Sequence, residues 1–355
     1  MKEEPILKKS NWGKPWLGAI LSLSLFVPSL SRAEAVRTQS LTLVPGWNAV
    51  YLEVDPLEGN PSVLFASHPV DVVATHSNPL RGSQFVDDPT ADLQNAYGWR
   101  VWYAGTRSDA FLSNLFAIQG GRAYLIHALT NTSMTITGQI PPVEVGWTPN
   151  AYTFVGFAVD SPGAPTFRQF FGASPAHNHN QIYRMVDGVW RRVTDPSVSV
   201  MRSGEAFWIY TKGRSSYRGP LEVGVESLFG LTLTTQVGSE LFFRNLTGHP
   251  LVVTLEHVVA GNDPIPMAIE VRTYDAELPG FRDVTVRLDG GAWEKALPTL
   301  EAGRGLRLPL KLQSAHADTG PRHSLLRVRT DLGTVTYVPV TAIRDARSST
   351  ETESP

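Results

Sequence analysis

Two histidines, His177 and His179, come closest in spacing to a metal site in this sequence. Side chains at positions i and i+2 of a β-strand point to the same face, which suits two ligands of one metal ion. The flanking segment "SPAHNHNQ" is polar and typical of a loop, and no third ligand is evident. His68 and His76 have no acidic partner at an informative spacing, so we expect solvent-facing roles for both. No metal ligand is assigned.

The carboxylates Asp55 and Asp160 are the candidates for acid–base chemistry. Glycosidases place two carboxylates roughly 5–10 Å apart, and one from each of two related segments could meet at an interface. Each of these residues also precedes a proline, Pro56 directly and Pro162 one residue further on. Aspartate before proline at a strand end is typical of a turn, in which the side chain bonds nearby backbone N–H groups. We interpret both as structural.

A third candidate is Asp87-Asp88 before Pro89, within a polar stretch that could bind calcium. The alternating oxygen ligands of a recognisable calcium motif are absent, so metal binding by the 60–98 loop stays open. The sequence contains no nucleophile elbow, no Ser-Lys motif with its companions and no phosphate-binding glycine loop. It also contains no cysteine, which excludes thiolate chemistry and cysteine-ligated metals. We therefore expect no catalytic residue and no cofactor.

The first 35 residues have the pattern of a secretory signal. Four lysines precede the apolar run "WLGAILSLSLFV" (16–27), and "AEA" (33–35) supplies small residues for cleavage before Val36. The run is shorter than the roughly 20 apolar residues that span a bilayer. Without this segment the net charge moves from −2 to −4, because the segment holds five basic and three acidic residues. A mildly acidic surface argues against nucleic acid and anionic lipid as partners.

The rest of the chain is predicted to be mostly β. Gly and Pro, 30 and 26 residues, separate short segments rich in β-branched and aromatic residues, many with period-two alternation. Only "NPSVLFAS" (60–67) and "PTFRQFFGA" (165–173) could form short helices, starting at Asn60-Pro61 and Pro165-Thr166.

Several landmarks recur in the same order along the chain, which predicts a tandem duplication. The longer gap in the first copy places its extra residues in the 60–98 region, between the first and second landmarks. The matched segments are "NAVYLEVD" (48–55) with "TFVGFAVD" (153–160), "VWYAG" (101–105) with "VWRRV" (189–193), "GRAYLIHAL" (121–129) with "GEAFWIYTK" (204–212), and the terminal strands "SMTITG" (133–138) with "SSYRG" (215–219).

At these landmarks the sequence resembles a β module common in bacterial secreted and surface proteins, which opens "PGWNLVSLPV.P" and closes "G.AYWI". The first copy matches at 45–48 and 121–126, and the second at 204–209, while Thr148-Pro149-Asn150 depart from the opening pattern. The resemblance implies secreted β modules and no particular activity.

From residue 224 onward the pattern changes to strands separated by regular turns, among them "NLTGHP" (245–250) and "TDLG" (330–333). This spacing indicates a β-sandwich that is similar to immunoglobulin-like domains, without their Cys…Trp…Cys hallmark. The tail 344–355 is polar and is expected to be disordered.

The sequence therefore predicts an all-β protein with two related β-rich repeats followed by a C-terminal immunoglobulin-like β-sandwich. The expected segments are a signal peptide (1–35), repeat 1 (36–140), repeat 2 (141–223), the sandwich (224–343) and the tail (344–355). The aromatic residues expected to anchor the repeat cores are Trp47, Tyr124, Trp147, Phe207 and Trp208.

The predicted function is non-catalytic: a secreted, cell-surface or periplasmic structural or binding protein, for example a component of an extracellular assembly. Expected partners are an extracellular protein or a cell-wall glycan. The alternative is a carbohydrate-binding accessory protein, or a glycan-processing enzyme with its site between the repeats. A pair of carboxylates in a cleft would favour the alternative, and a filled interface would favour the binding protein.

Overall fold

The structure of the chain is a computed structural model, which describes residues 35–76, 98–142, 145–178, 181–227, 230–234, 237–258, 265–275, 280–288, 293–313 and 321–343. The predicted signal, apart from Ala35, and the predicted tail 344–355 lie outside these residues. In the described part of the chain, no helix is long and apolar enough to cross a membrane.

Repeat 1 contains a four-stranded and a three-stranded sheet. Its elements are β1 Val36–Leu43, β2 Gly46–Leu52, β3 Asp55–Pro56, α1 Pro61–Leu64, β4 Val70–His76, β5 Trp99–Tyr103, β6 Arg122–Ala128 and β7 Thr132–Gln139. The antiparallel order is β2-β6-β4-β5 in one sheet and β1-β7-β3 in the other. Alternate apolar side chains of β1 and β7 pack against one face of the larger sheet and form the repeat's own core.

Repeat 2 contains a four-stranded sheet with the same topology. Its elements are β8 Ala151–Gly156, α2 Phe167–Phe171, β9 Ile182–Val186, β10 Val189–Arg192 and β11 Ala206–Thr211. The antiparallel order is β8-β11-β9-β10, so the four strands take the same relative positions as β2-β6-β4-β5. Val50 pairs with Tyr124 in the first sheet and Val155 with Phe207 in the second, as the sequence match predicts.

Both predicted helical turns form, each between the first and second strands of its sheet. The Asn60 side chain accepts a hydrogen bond from the Ser62 N–H at 2.9 Å, and Pro61 fills the first turn of α1. Helix α2 begins with a reciprocal capping box between Thr166 and Gln169. Local sequence signals therefore specify both helix starts.

The predicted match between the third strands is wrong in register. It pairs Trp102 with Trp190, but Trp102 packs in the core of its own repeat, whereas Trp190 lies between the two sheets. Neighbouring residues of a strand face opposite sides of the sheet, so a register that mixes the two faces cannot be correct.

The strand pairing gives the correct register. From Leu125 of β6 the ladder leads through β4 to Val101 of β5, and from Trp208 of β11 it leads through β9 to Arg192 of β10. Val101 and Arg192 are therefore equivalent. The matching segments are "WRVW" (99–102) and "WRRV" (190–193), and the first Trp of each lies between the sheets.

The extra residues of repeat 1 lie where the sequence predicts. Strands β4 and β5 are joined by residues 77–98, whereas β9 and β10 are joined by the two-residue turn Asp187-Gly188. Both turn residues have positive φ, 52° and 73°, as a tight hairpin turn requires. The predicted terminal strand at 215–219 is wrong. No strand forms there, because Tyr217 turns its main-chain carbonyl and its hydroxyl towards the repeat 2 core.

The predicted aromatic anchors are buried with one exception. Tyr124 and Phe207 occupy equivalent positions in the two repeat cores, and Trp147 lies in the second core, where its indole N–H donates to the Tyr217 carbonyl at 2.6 Å. Trp208 is fully buried, but between the two sheets. Trp47 is only half-buried, because it lies near the start of the edge strand β2 and packs at the rim of that same cluster.

The remaining strands form the predicted immunoglobulin-like sandwich. They are β12 Leu221–Gly224, β13 Leu231–Thr234, β14 Ser239–Asn245, β15 Val253–Val258, β16 Met267–Asp275, β17 Gly280–Leu288, β18 Trp293–Ala296, β19 Gly305–Leu312, β20 Arg322–Thr330 and β21 Val335–Ile343. One sheet has the order β12-β14-β19-β16-β17 and the other β13-β21-β20-β15-β18. Strand β12 thus begins just before the predicted boundary at 224.

Apolar side chains of both sheets form the sandwich core, and β14 alternates buried and exposed residues along its whole length. The turn "NLTGHP" connects β14 in one sheet to β15 in the other, while "TDLG" closes the hairpin of β20 and β21. The described residues between 35 and 343 belong to one compact unit.

Candidate functional site

His177 is a buried core residue and not part of a polar loop. Its Nδ1 lies 2.6 Å from the Ser174 hydroxyl and its Nε2 lies 3.3 Å from the Thr211 hydroxyl. Its ring lies 4.3 Å from the Trp147 ring, centroid to centroid. Burial lowers the pKa of His177 to about 4, so the imidazole is neutral at pH 7. The sequence suggested a loop because the apolar partners of this histidine lie on other segments.

The burial of His177 predicts a loss of stability in mild acid. The unfolded chain takes up a proton near pH 6.5, whereas the folded chain resists it down to about pH 4. The stabilisation is therefore complete above about pH 6.5 and falls as the pH drops from about 6.5 to about 4. We expect His177→Phe to lose less stability than the wild type between pH 7 and pH 4.5 in urea titrations. Equal losses would contradict this account.

The other sequence candidates for a metal site are His68, His76, His179 and Asp87-Asp88. His76 ends β4 and is half-buried, with its ring 5.3 Å from those of Trp99 and Trp208, so the predicted solvent-facing role is wrong. His68 is half-buried near the Thr132 hydroxyl at 3.4 Å. His179 and Asp87-Asp88 lie outside the described residues. Among the residues that are described, no three metal-ligating side chains of His, Asp or Glu cluster together.

Asp55 and Asp160 bind different partners in the fold. The Asp55 carboxylate accepts a hydrogen bond from the Gly120 N–H at 2.8 Å. The Asp160 carboxylate pairs with the guanidinium of Arg327, a residue of the sandwich, and its backbone N–H donates to the Gly333 carbonyl at 2.8 Å. Each carboxylate therefore contributes a bond that stabilises the fold. However, both side chains bond distant segments and not the nearby backbone that the sequence indicated.

The space between the two repeat sheets is filled by aromatic side chains. Trp208 stacks on Phe154 with ring centroids 5.0 Å apart, and the rings of Trp99 and Trp190 lie 6.1 and 6.4 Å from it. These four residues are buried, together with alanines of both sheets and with Leu125 of the first sheet. A cavity for a sugar ring at this position would require the cluster to separate.

At the centre of this interface, equivalent residues of the two repeats meet. Tyr51 and Gly156 occupy matching positions in β2 and β8. A Cβ atom at Gly156 would lie 2.3 Å from the Tyr51 Cβ, so the tyrosine occupies the space that a side chain there would need. The Tyr51 N–H also donates to the Gly204 carbonyl at 2.8 Å. Sequence reasoning missed this pair, although the substitution of Tyr by Gly at a matched position was a usable signal.

A polar cluster on repeat 1 was also missed. The Asp71 carboxylate lies 2.5 Å from His127 Nδ1 through one oxygen and 2.7 Å from Arg107 Nη1 through the other. Arg107 also bonds Asp109, which raises the pKa of the guanidinium further. The rings of Trp47 and His127 meet in an edge-to-face arrangement with centroids 5.1 Å apart. Both carboxylate oxygens of Asp71 are thus bonded, one to β6 and one to Arg107. The cluster therefore holds the segment after β5 against the sheet. An acid within the apolar strand "PVDVVATH" (69–76) was its sequence signal.

A second polar cluster joins both repeats to the sandwich. Glu53 accepts hydrogen bonds from Arg37 at 2.6 Å and from the Ser203 hydroxyl at 3.0 Å. The Arg37 guanidinium lies 4.2 Å from the centre of the Tyr337 ring of the sandwich. These contacts come from segments far apart in the chain and indicate a fixed junction.

No family model matches this chain, and no curated protein matches it in sequence. The solved structures with some similarity include the Salmonella enterica SafA pilin in complex with the SafB chaperone, at 15% identity and a TM-score of 0.21. The YadV chaperone has 12% identity and a TM-score of 0.22. The matches cover 36% of this chain and 55% and 52% of those chains, which is about half of their length.

The CupB6 tip adhesin from Pseudomonas aeruginosa matches over 87% of this chain and 91% of its own, at 12% identity and a TM-score of 0.19. None of these TM-scores reaches 0.5, so nothing about the function of this chain is concluded from them. The structure itself defines an all-β protein with two related sheets and an immunoglobulin-like sandwich.

Proposed function

We propose that this chain is a secreted or cell-surface protein with a structural or binding role, and that it is not an enzyme. The observation that carries the proposal is the filled interface between the two repeat sheets, where a glycan-processing site would have to lie. An extracellular protein or a cell-wall glycan is the expected partner. In this proposal the protein acts outside the cytoplasm, and repeat 1, repeat 2 and the sandwich together form a rigid support for the partner.

The positions of the two carboxylates support this proposal. A glycosidase needs one carboxylic acid and one carboxylate facing the same bond. Here Asp160 is held by an arginine of the sandwich and Asp55 by the Gly120 N–H within repeat 1. The surface also supports a binding role. Phe111 and Phe116, in the segment after β5, are 82% and 76% exposed, so both aromatic rings are available to contact a partner.

Substitution of the two aspartates tests this proposal. We expect Asp160→Asn to lower the free energy of unfolding by about 1–3 kcal/mol, because it weakens a charged hydrogen bond to Arg327. Asp55→Asn is expected to cost less than about 1 kcal/mol, since the amide oxygen still accepts from Gly120. Urea titrations measure both effects.

The same preparations provide the activity measurement. The protein is exported from a Gram-negative host, is expected to begin at Val36, and is incubated with a panel of soluble and insoluble glycans. We expect no sugar to be released by the wild type or by either variant. Release by the wild type that both Asn variants abolish would overturn the proposal in favour of a glycan-processing enzyme.

A further inference from the structure

The two repeats differ at the outer edge of their four-stranded sheets. In repeat 1 the edge strand β5 is covered by the segment that follows it. The Val101 N–H donates to the Asn114 side chain at 2.6 Å, and the Val101 carbonyl accepts from the backbone N–H groups of Asn114 and Leu115 at 2.8 and 3.0 Å. The Tyr103 N–H donates to the Ser113 hydroxyl at 3.0 Å. This edge is therefore closed to pairing.

In repeat 2 the equivalent segment lies elsewhere. It is shorter, since β10 ends at Arg192 and β11 begins at Ala206. Its carbonyl groups at Ser199 and Pro196 accept from the first residues of α2, at 3.1 and 2.9 Å. The segment therefore bonds the first residues of α2. It does not supply a residue that covers β10 in the way that Asn114 covers β5.

The pairing pattern shows which main-chain groups β10 presents outward. The Val193 N–H donates inward to the Ile182 carbonyl at 2.8 Å. Because inward and outward groups alternate along an antiparallel strand, the N–H and C=O of Arg192 point outward. Within the described part of the chain, no donor or acceptor contacts them. Arg192 is the counterpart of Val101 in repeat 1, where the main-chain N–H and C=O are both hydrogen-bonded to the covering segment.

The charges along β10 indicate what could pair there. Arg191 and Arg192 are exposed, and neither has an ion-pair partner among the described residues. Arg184, opposite Arg191, is already neutralised by Glu205. A second copy of the same edge would bring arginines together, and like charges directly opposite each other destabilise a strand pair. Acidic side chains would be favoured beside this edge.

We propose that β10 is a docking edge for an extended, acidic segment of a partner protein. The segment pairs with the main chain of Arg192 as Asn114 pairs with Val101, and it places carboxylates beside Arg191 and Arg192. Main-chain pairing supplies the common framework and the arginines supply the selectivity. This inference rests on the proposed binding function and names the surface and the chemistry of the partner.

A peptide based on the segment that covers β5 in repeat 1 tests the proposal with the full chain. The probe has the sequence EFLSDLFAE, and the basic control has the sequence KFLSNLFAK. Hydrogen–deuterium exchange of the complex is expected to slow at 189–193 and to stay unchanged at 99–103, where the edge is already covered. Fluorescence anisotropy is expected to give at least tenfold tighter binding for the acidic peptide.

Matched substitutions separate docking from a general charge effect. Arg191→Glu is expected to weaken binding of the acidic peptide about tenfold, whereas Arg100→Glu, at the equivalent position of the covered edge, leaves it unchanged. Arg192→Pro removes the outward N–H and is expected to abolish protection at 189–193. Thermal melts establish that each variant is folded, and Arg191→Glu, on the exposed surface, keeps the test valid if the proline variant does not fold.

Several results would overturn the proposal. The first is unchanged hydrogen–deuterium exchange at 189–193 with saturating acidic peptide, and the second is equal binding of the basic peptide. The third is slowed exchange at 189–193 that increases with protein concentration in the absence of peptide. The fourth is slowed exchange there that is lost when residues 344–355 are deleted. The last two would identify a second copy or the chain's own tail as the occupant. None of these outcomes bears on glycan release, so failure of the docking edge is distinguishable from failure of the proposed function.

Discussion

Trp208→Ala is expected to lower the free energy of unfolding by about 3–5 kcal/mol, the usual cost of removing a large aromatic from a core. The indole is fully buried and is surrounded by aromatic rings from both repeats. The surrounding rings cannot fill the space, since they belong to two different sheets. A loss of this size is a large part of a typical domain's stability of about 5–15 kcal/mol. Urea and thermal denaturation measure it.

Two control variants make this prediction specific. Phe116→Ala removes an aromatic that is 76% exposed and is expected to change stability by less than about 0.5 kcal/mol. Trp208→Leu introduces the residue that repeat 1 carries at the equivalent position, Leu125, and is expected to cost less than the alanine variant. If Trp208→Ala melted like the wild type but lost binding to an insoluble polysaccharide, the residue would be a sugar platform and the core interpretation would be wrong.

Gly156→Ala is expected to destabilise the protein by about 1–3 kcal/mol or more, although it adds only one methyl group. The new Cβ would lie 2.3 Å from the Tyr51 Cβ and 2.7 Å from the Glu205 carbonyl oxygen. Both obstacles belong to backbone or to the base of a side chain, so rotation of a side chain cannot remove them. The two sheets would have to move apart, which would expose part of the aromatic cluster. Thermal denaturation measures the loss.

A glycine elsewhere and a compensating substitution provide the controls. Gly105→Ala, where an added Cβ meets nothing within 4 Å, is expected to be neutral. Tyr51→Gly removes the nearest obstacle, so Gly156→Ala should cost less in that background than in the wild type. The difference between the two costs measures the coupling of the two positions. Strict additivity would mean that Tyr51 and Gly156 do not meet at the interface.

The sequence by itself determined the fold class and much of the local structure. Period-two apolar segments and frequent turn residues predicted strands, and both helix starts followed from their capping residues. The duplication was predicted from matched landmarks, and the strands around Val50 and Val155 are equivalent in the structure. These features depend on contacts within a few residues of the chain, which the sequence displays directly.

Only the tertiary structure decided which face of each strand meets which core. The repeat sheets are apolar on both faces, so alternation does not distinguish Trp102 from Trp190, and the predicted match was wrong. The burial of His177 and the pairing of Asp160 with Arg327 depend on segments brought together by folding. Local sequence carries no signal for such partners, because they lie far along the chain and are chosen by the packing of whole sheets.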